Sequence, residues 1–354
     1  MNGKRIGILT GGGDCPGLNA VIRAVTKTAI HEFGMEVVGF LDGFRGLVED
    51  ETSDLTFDAV SNILSQGGTI LGTSGRETFF GVAASSRPKP SKENRLADAL
   101  RTFRKHRLRG IICIGGDGTL RVAHHLHRRG IPMIGVPKTI DNDVPHTDLS
   151  FGFNSACTVA TDAVDRLHST AASHHRTMVL EVMGRGAGWI ALETGLAGGG
   201  DVILIPEMPF SLDRVCETVL QRFRRGRRFS IVVAAEGARP KKPGGGWAVR
   251  LTSGIGIALS EAIERKTGLE SRATVLGYLQ RGGSPTFFDR VLATQFGHSA
   301  ARLAARGSYG KMVCLKNAAL ATVDLKRVLG PPRSVPPDSP LIAAARAVGT
   351  SFGV

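Results

Sequence analysis

Gly110-Ile111-Ile112-Cys113-Ile114, running directly into Gly115-Gly116-Asp117-Gly118-Thr119, is the stretch on which the fold turns. An apolar run of strand length ends in a glycine-rich turn, and the residues beyond it read as a helix. Glycines let backbone N–H groups approach an anion closely, a helix N-terminus favours negative charge, and Asp117 stands where a divalent cation would be recruited. Gly-Gly-Asp-Gly is also an ordinary strand-to-helix connection, so the motif alone divides about evenly between the two readings. Its repetition breaks the tie. Arg5–Thr10 reads as a buried strand, Gly11-Gly12-Gly13-Asp14-Cys15-Pro16-Gly17 as the turn that follows, and Leu18–Arg23 as the start of a helix.

Outward from these loops the alternation continues. Glu36–Phe40, Pro132–Val136, Thr177–Val182, Asp201–Ile205 and Ser230–Ala235 are short apolar runs separated by longer helical patterns, the signature of α/β layers with mainly parallel sheets. Most of these runs end in Gly, Asp or Pro turns, where open α/β sheets bind ligands. A length of 354 residues exceeds a single core and predicts two lobes. Ser85–Lys92, Ala238–Gly246 and Pro331–Pro340 read as surface loops, and Leu341–Val354 as an apolar helical segment that packs onto the body.

Composition narrows the function classes. No apolar run approaches the ~20 residues of a membrane span and no signal-peptide core is present, so the expected setting is the cytoplasm, with no membrane partner. The five cysteines are odd in number and scattered, which argues against a disulfide framework and a zinc site; Cys15 in the first loop reads as a small space-filling residue. A net charge of +14 permits polyanion binding. The basic clusters Arg101–Arg109 and Arg222–Arg228, however, lack the interleaved aromatics of a base-stacking surface, so no dedicated nucleic-acid partner is expected.

A third strand-end motif is Pro137-Lys138-Thr139-Ile140-Asp141-Asn142-Asp143, with two carboxylates two residues apart beside a hydroxyl and an amide. It offers a base and a metal-positioning group. Arg176, Arg185, Arg272 and Arg281 each border a strand or a glycine-rich turn, where guanidinium forks suit phosphate oxygens and sugar hydroxyls.

With these segments assembled, the chain resembles the 6-phosphofructokinase family. The matching stretches are Thr10–Asn19, Gly115–Thr119, Pro137–Asp143, Glu181–Arg185 and Ala273–Pro285, so the likeness spans almost the whole chain. The resemblance implies two Rossmann-like three-layer lobes. The nucleotide-binding lobe would comprise residues 1–151 with about 281–331, and the sugar-phosphate lobe 152–280 with about 332–354. It implies ATP as phosphoryl donor, Mg²⁺ as cofactor and fructose 6-phosphate as acceptor. Gly13, Gly116, Asp117, Gly118 and Thr119 would line the nucleotide phosphates, Asp117 holding the metal, with Arg76 and Glu77 near the phosphoryl groups. Asp141 would be the general base, assisted by Thr139 and Arg185, with Asp143 toward the metal. Thr139, Ile140, Asp141, Arg176, Met183, Gly184, Arg185, Glu236, Arg272, Tyr278 and Arg281 would bind the sugar phosphate. Position 278 is often His in bacterial ATP enzymes; Tyr keeps a donor but adds no charge. The family also implies a homo-oligomer, dimer or tetramer, with active sites shared between subunits.

Donor choice rests on two positions. ATP-dependent members have Gly at the positions matching 118 and 138, pyrophosphate-dependent members Asp and Lys; this chain pairs Gly118 with Lys138. The mixture resembles an ATP-using subgroup, and Gly118 leaves the space an ATP α-phosphate requires. A pyrophosphate-dependent enzyme is the alternative. NAD and lipid kinases share Gly115–Thr119 but give no reason for Tyr278–Pro285. A noncatalytic regulatory subunit would have lost Asp117, Asp141 and Arg185, all of which are present.

Overall fold

The computed structural model describes residues 4–74, 92–241 and 254–354. Its strands are β1 (Arg5–Gly11), β2 (Glu36–Phe40), β3 (Thr52–Leu55), β4 (Leu108–Gly115), β5 (Met133–Pro137), β6 (Thr177–Val182), β7 (Val202–Leu204), β8 (Ser230–Ala235), β9 (Ser271–Val275), β10 (Lys311–Lys316) and β11 (Ala319–Asp324). They form a seven-stranded sheet in the order β11-β10-β5-β4-β1-β2-β3 and a four-stranded sheet in the order β7-β8-β6-β9. The chain divides into two units accordingly. The first comprises Met1–Ile140, Val144–Asn154 and Arg281–Pro332; the second comprises Asp141–Asp143, Ser155–Gln280 and Arg333–Val354.

In the first unit β2, β1, β4, β5 and β10 run parallel. Leu9, Phe40, Ile111, Cys113, Leu126, Met133 and Met312 belong to one buried cluster against this sheet. Ile6, Ile8 and Ile112 are equally sequestered, so both faces are covered and the strands read as continuous apolar runs. The second unit's four strands are all parallel. Val179, Leu204, Val232 and Leu259 form its core.

The structure departs from the sequence reading at the edges of the larger sheet. β3 and β11 are antiparallel to their neighbours, and neither they nor β10 stood out in the sequence. The β10–β11 turn is Asn317-Ala318, both with left-handed φ (50° and 61°), as a tight two-residue hairpin requires. Alanine occupies a place where glycine would have announced the turn. The stretch Pro331–Pro340, read as a plain surface loop, also does more, as described below.

The larger sheet positions its loops through its order. From β1 the chain proceeds to β2 on one side, whereas β4 leads to β5 on the other, so β1 and β4 flank the point where the winding reverses. Gly11 and Gly115 are register partners at the ends of these two strands, which brings both glycine loops side by side. All five cysteines are free and buried, and burial pushes the Cys15 thiol up to about 12. Cys15 is a packing residue: a Cβ on Gly152 would come within 2.6 Å of its Sγ. Among the described residues no helix is long and apolar enough to cross a membrane.

Candidate active site

In the first unit, Thr119 joins the two glycine loops. Its side chain, 2% exposed, fills the room the neighbouring glycines leave. A Cβ on Gly11 would fall 2.7 Å from its Cγ2, and one on Gly115 would fall 2.4 Å from it. The helix Asp117–His127 starts from Gly116 without a side-chain cap, so its first-turn N–H groups are presented at the loop. Gly118 lies half-buried in that first turn.

Two cations hold the first loop. The buried Lys138 ammonium donates to the Gly13 carbonyl, and Arg281 Nη1 donates to the Asp14 carbonyl at 3.1 Å. A Cβ on Gly13 would sit 2.6 Å from Arg281 Nη1, so glycine is what allows the guanidinium to lie against the backbone. Asp117 accepts from Arg121 Nε through both oxygens at 2.9 Å. Arg121 is anchored in turn on the Leu329 and Gly330 carbonyls. Sequence reasoning had no role for Arg121; its place four residues after Asp117, one helical turn on, is the signal that could have found it. Thr139 accepts from Ser150 Oγ through its carbonyl at 2.8 Å, and Ile140 is buried.

In the second unit, the ends of β6 and β8 assemble a compact set of groups. The Glu236 N–H donates to the Val182 carbonyl and the Gly237 N–H to the Gly184 carbonyl. Gly184 adopts φ 129°, and a Cβ there would meet the Ala187 carbonyl at 2.7 Å. Met183 N–H donates to Oε1 of the fully buried Gln280 at 2.8 Å, a support the sequence did not reveal. Arg185 reaches toward Glu236 at 3.8 Å and remains 87% exposed, a loose pair available to a ligand. Tyr278, 81% exposed, lies in the 3-10 helix Gly277–Arg281.

Arg176 and Arg272 are brought together elsewhere. Both pair with Glu270, at 2.9 and 2.6 Å, and Arg272 also pairs with Glu264. Arg176 precedes β6 and Arg272 is the second residue of β9, whereas Arg185 and Glu236 follow the ends of β6 and β8. These strands are parallel neighbours. Arg272 pairs in register with Met178, the second residue of β6, so at ~3.3 Å per residue the backbone of Arg176 lies ~20 Å, and that of Arg272 ~13 Å, along the strands from the level of Val182, and both side chains are engaged at that far end by Glu270. Arg76 and Glu77 lie outside the described residues.

Beneath Glu236 sits Glu181. Burial is the main cause that raises its pKa; the Gly256 N–H, donating at 2.6 Å, pulls the other way, and the Glu236 charge adds to the rise. A raised carboxyl pKa means the folded state favours the proton. Stability is lost as pH climbs from the unfolded value through the folded one. Glu181→Gln keeps an acceptor for Gly256 and removes the charge. Its melting temperature is expected to gain on wild type as pH rises from 4.5 to 8, and a pH-independent gap between the two would refute this account.

Similarity to known proteins places the chain. The family described as Phosphofructokinase matches residues 5–304. An ATP-dependent 6-phosphofructokinase of Chloroflexus aurantiacus is 51% identical, the alignment covering 99% of this chain and 98% of that one. The solved phosphofructokinase of Saccharomyces cerevisiae superposes with a TM-score of 0.81 at 28% identity, covering 92% of this chain and 45% of that chain. A pyrophosphate-dependent phosphofructokinase from Marinobacter aquaeolei superposes at 0.78 with 26% identity, covering 94% and 85%. The chain belongs to the phosphofructokinase family. A relative named for ATP and a solved enzyme named for pyrophosphate both match, the former at nearly twice the identity.

Proposed function

We propose that the chain is a cytoplasmic ATP-dependent 6-phosphofructokinase, transferring the γ-phosphoryl group of Mg-ATP to the 1-hydroxyl of fructose 6-phosphate to give fructose 1,6-bisphosphate and ADP. The observation that carries the reading is the pairing of two glycine loops at the reversal of the sheet, with Gly118 in the uncapped first turn of the helix behind them. Backbone N–H groups there suit a polyphosphate, and glycine leaves room beside them.

Asp117 is the carboxylate of the second loop, and among the described residues no group of three or more His, Cys, Asp or Glu side chains could hold a metal unaided. That donor set fits Mg²⁺, which is commonly bound by one or two carboxylates together with substrate phosphates and water. When bound, the ion neutralises charge on the transferring phosphoryl group. Asp117 would hold it, since its carboxylate oxygens keep lone pairs beside those shared with Arg121. Asp141 takes the proton of the 1-hydroxyl as that oxygen attacks phosphorus in line, and ADP departs. Thr139 and Asp143 support that loop, while Met183, Gly184 and Glu236 hold sugar hydroxyls. Arg185, Tyr278 and Arg281 complete the sugar-phosphate contacts and balance developing charge.

Lys138 favours the second reading, a pyrophosphate-dependent enzyme. Its ammonium already rests on the Gly13 carbonyl, a position compatible with a cation beside the transferred group in an ATP enzyme of mixed type. A coupled assay comparing ATP with pyrophosphate at several fructose 6-phosphate concentrations separates the two; preference for pyrophosphate makes Lys138 the dominant determinant.

The separation of Arg176 and Arg272 from Arg185 and Glu236 supports a site shared between subunits, the two arginines serving the neighbour. Each charge-assisted contact is worth ~1.5–3 kcal/mol, so a lone protomer would lose sugar-phosphate affinity most. Mixing inactive Asp141→Asn and Arg272→Ala under subunit exchange should restore part of the activity, because a hybrid pair holds one site with neither defect. No recovery despite verified hybrids, or full activity in a monomer, places the whole site in one chain.

A further inference from the structure

We propose that Arg333 is the positioning residue of the Asp141–Asp143 loop, fixing the direction in which the Asp141 carboxylate meets its substrate; this rests on the reading of Asp141 as the base. The loop and Arg333 belong to the same unit. Arg333 addresses two successive carbonyls of the loop. Its backbone N–H donates to the Asp143 oxygen at 2.8 Å, and its Nη1 donates to the Asn142 oxygen at 3.1 Å. Asn142 is itself buried and held in the left-handed region at φ 52°, a conformation that costs energy in a non-glycine residue unless surrounding contacts enforce it. With the Asn142 and Asp143 carbonyls captured, the two peptide planes that follow that torsion are set, and the loop leaves Asp141 in a fixed direction.

Arg333 is held rigidly enough for the task. Its guanidinium lies 4.1 Å over the ring of the buried Trp189, and its own carbonyl accepts from Trp189 Nε1 at 3.2 Å. Two residues on, the Val335 N–H donates to Glu207 Oε1 at 2.8 Å, the oxygen that also receives the Gly188 N–H at 3.0 Å. The same carboxylate thus ties the Arg333 segment to the start of the helix that carries Trp189. Glu193, in that helix Trp189–Ala197, faces the guanidinium: burial raises its pKa and Arg333 opposes the rise. The preceding Pro331-Pro332 stiffens the approach to Arg333, proline fixing φ. A tethered arginine, a stacked aromatic and a strained loop form one chain of contacts ending one residue from the base.

The test is a double-mutant cycle between Arg333→Ala and Asp141→Asn, read by steady-state kinetics with ATP and fructose 6-phosphate and by thermal melting. Misplacing a catalytic group by about 1 Å can cost as much as ~10²-fold, so Arg333→Ala alone is expected to lower kcat by roughly tenfold or more while both KM values stay within about twofold. In the Asp141→Asn background the same change should cost less than about twofold, because the group it positions is gone. A residue that merely supports the fold would lower activity equally in both backgrounds. Should the alanine variant fail to fold, Arg333→Lys keeps the stem and the charge over Trp189 and carries the same cycle. An unchanged kcat, a loss confined to KM, or full additivity overturns the inference. A wild-type protein without fructose 6-phosphate turnover, or a fully active Asp141→Asn, overturns instead the reading on which it rests.

Discussion

Asp141→Asn is expected to slow turnover by ~10²-fold or more while leaving folding and fructose 6-phosphate affinity intact. The amide is nearly isosteric with the carboxylate and keeps an acceptor oxygen, so the half-buried position and the carbonyl contacts to Arg333 persist. What it cannot do is take a proton as the C–O–P bond forms. The loss should appear in kcat and equally in kcat/KM, as expected of an interaction made in the transition state only. A coupled assay with a melting curve suffices: near-normal turnover in a folded variant excludes Asp141 as the base.

Gly118→Asp is expected to abolish ATP use without unfolding the protein. An acidic residue in the first turn of a helix interacts favourably with its dipole, so the helix Asp117–His127 should tolerate the change, and the melting temperature should stay near the wild-type value. The ligand is treated differently. A second carboxylate beside Asp117 neutralises the positive end of an uncapped helix and places bulk where a nucleotide α-phosphate is to lie. Direct binding of ATP, followed by calorimetry, distinguishes this from an effect on chemistry; tight ATP binding by the variant would remove Gly118 as the donor determinant.

Much of the fold was legible because its strands are buried on both faces and its loops carry glycine. Glu36–Phe40, Thr177–Val182 and Ser230–Ala235 were read with the bounds the structure gives, since an apolar run bounded by turn residues has few alternatives. The edges were not legible. β11 alternates exposed and half-buried residues, and its turn uses Asn317-Ala318 in place of a glycine pair. The two glycine loops were found because their chemistry is local. Gln280 and Arg333 were missed because each acts on a partner through space: Gln280 contacts Met183 across 97 residues, and Arg333 contacts Asn142 across 191. No spacing rule covers such pairs. The separation of Arg176 and Arg272 from Arg185 was likewise invisible in a linear reading, because it depends on which end of a strand each residue borders.

The strands at the margins bear on how the protein survives at high concentration. An open row of backbone donors and acceptors along a flat apolar strand recruits other chains into aggregates. In the larger sheet both margins are short antiparallel strands with exposed polar residues, among them Ser53, Asp54, Thr322 and Asp324. In the smaller sheet the margin strand β7 is only three residues long, and Ser351 bridges to Val202, exchanging hydrogen bonds with Asp201 and Ile203. The segment around Ser351 is thus a sealing strip for a surface that would otherwise be adhesive. Damage to it by proteolytic nicking would first show as clumping, before any failure of catalysis.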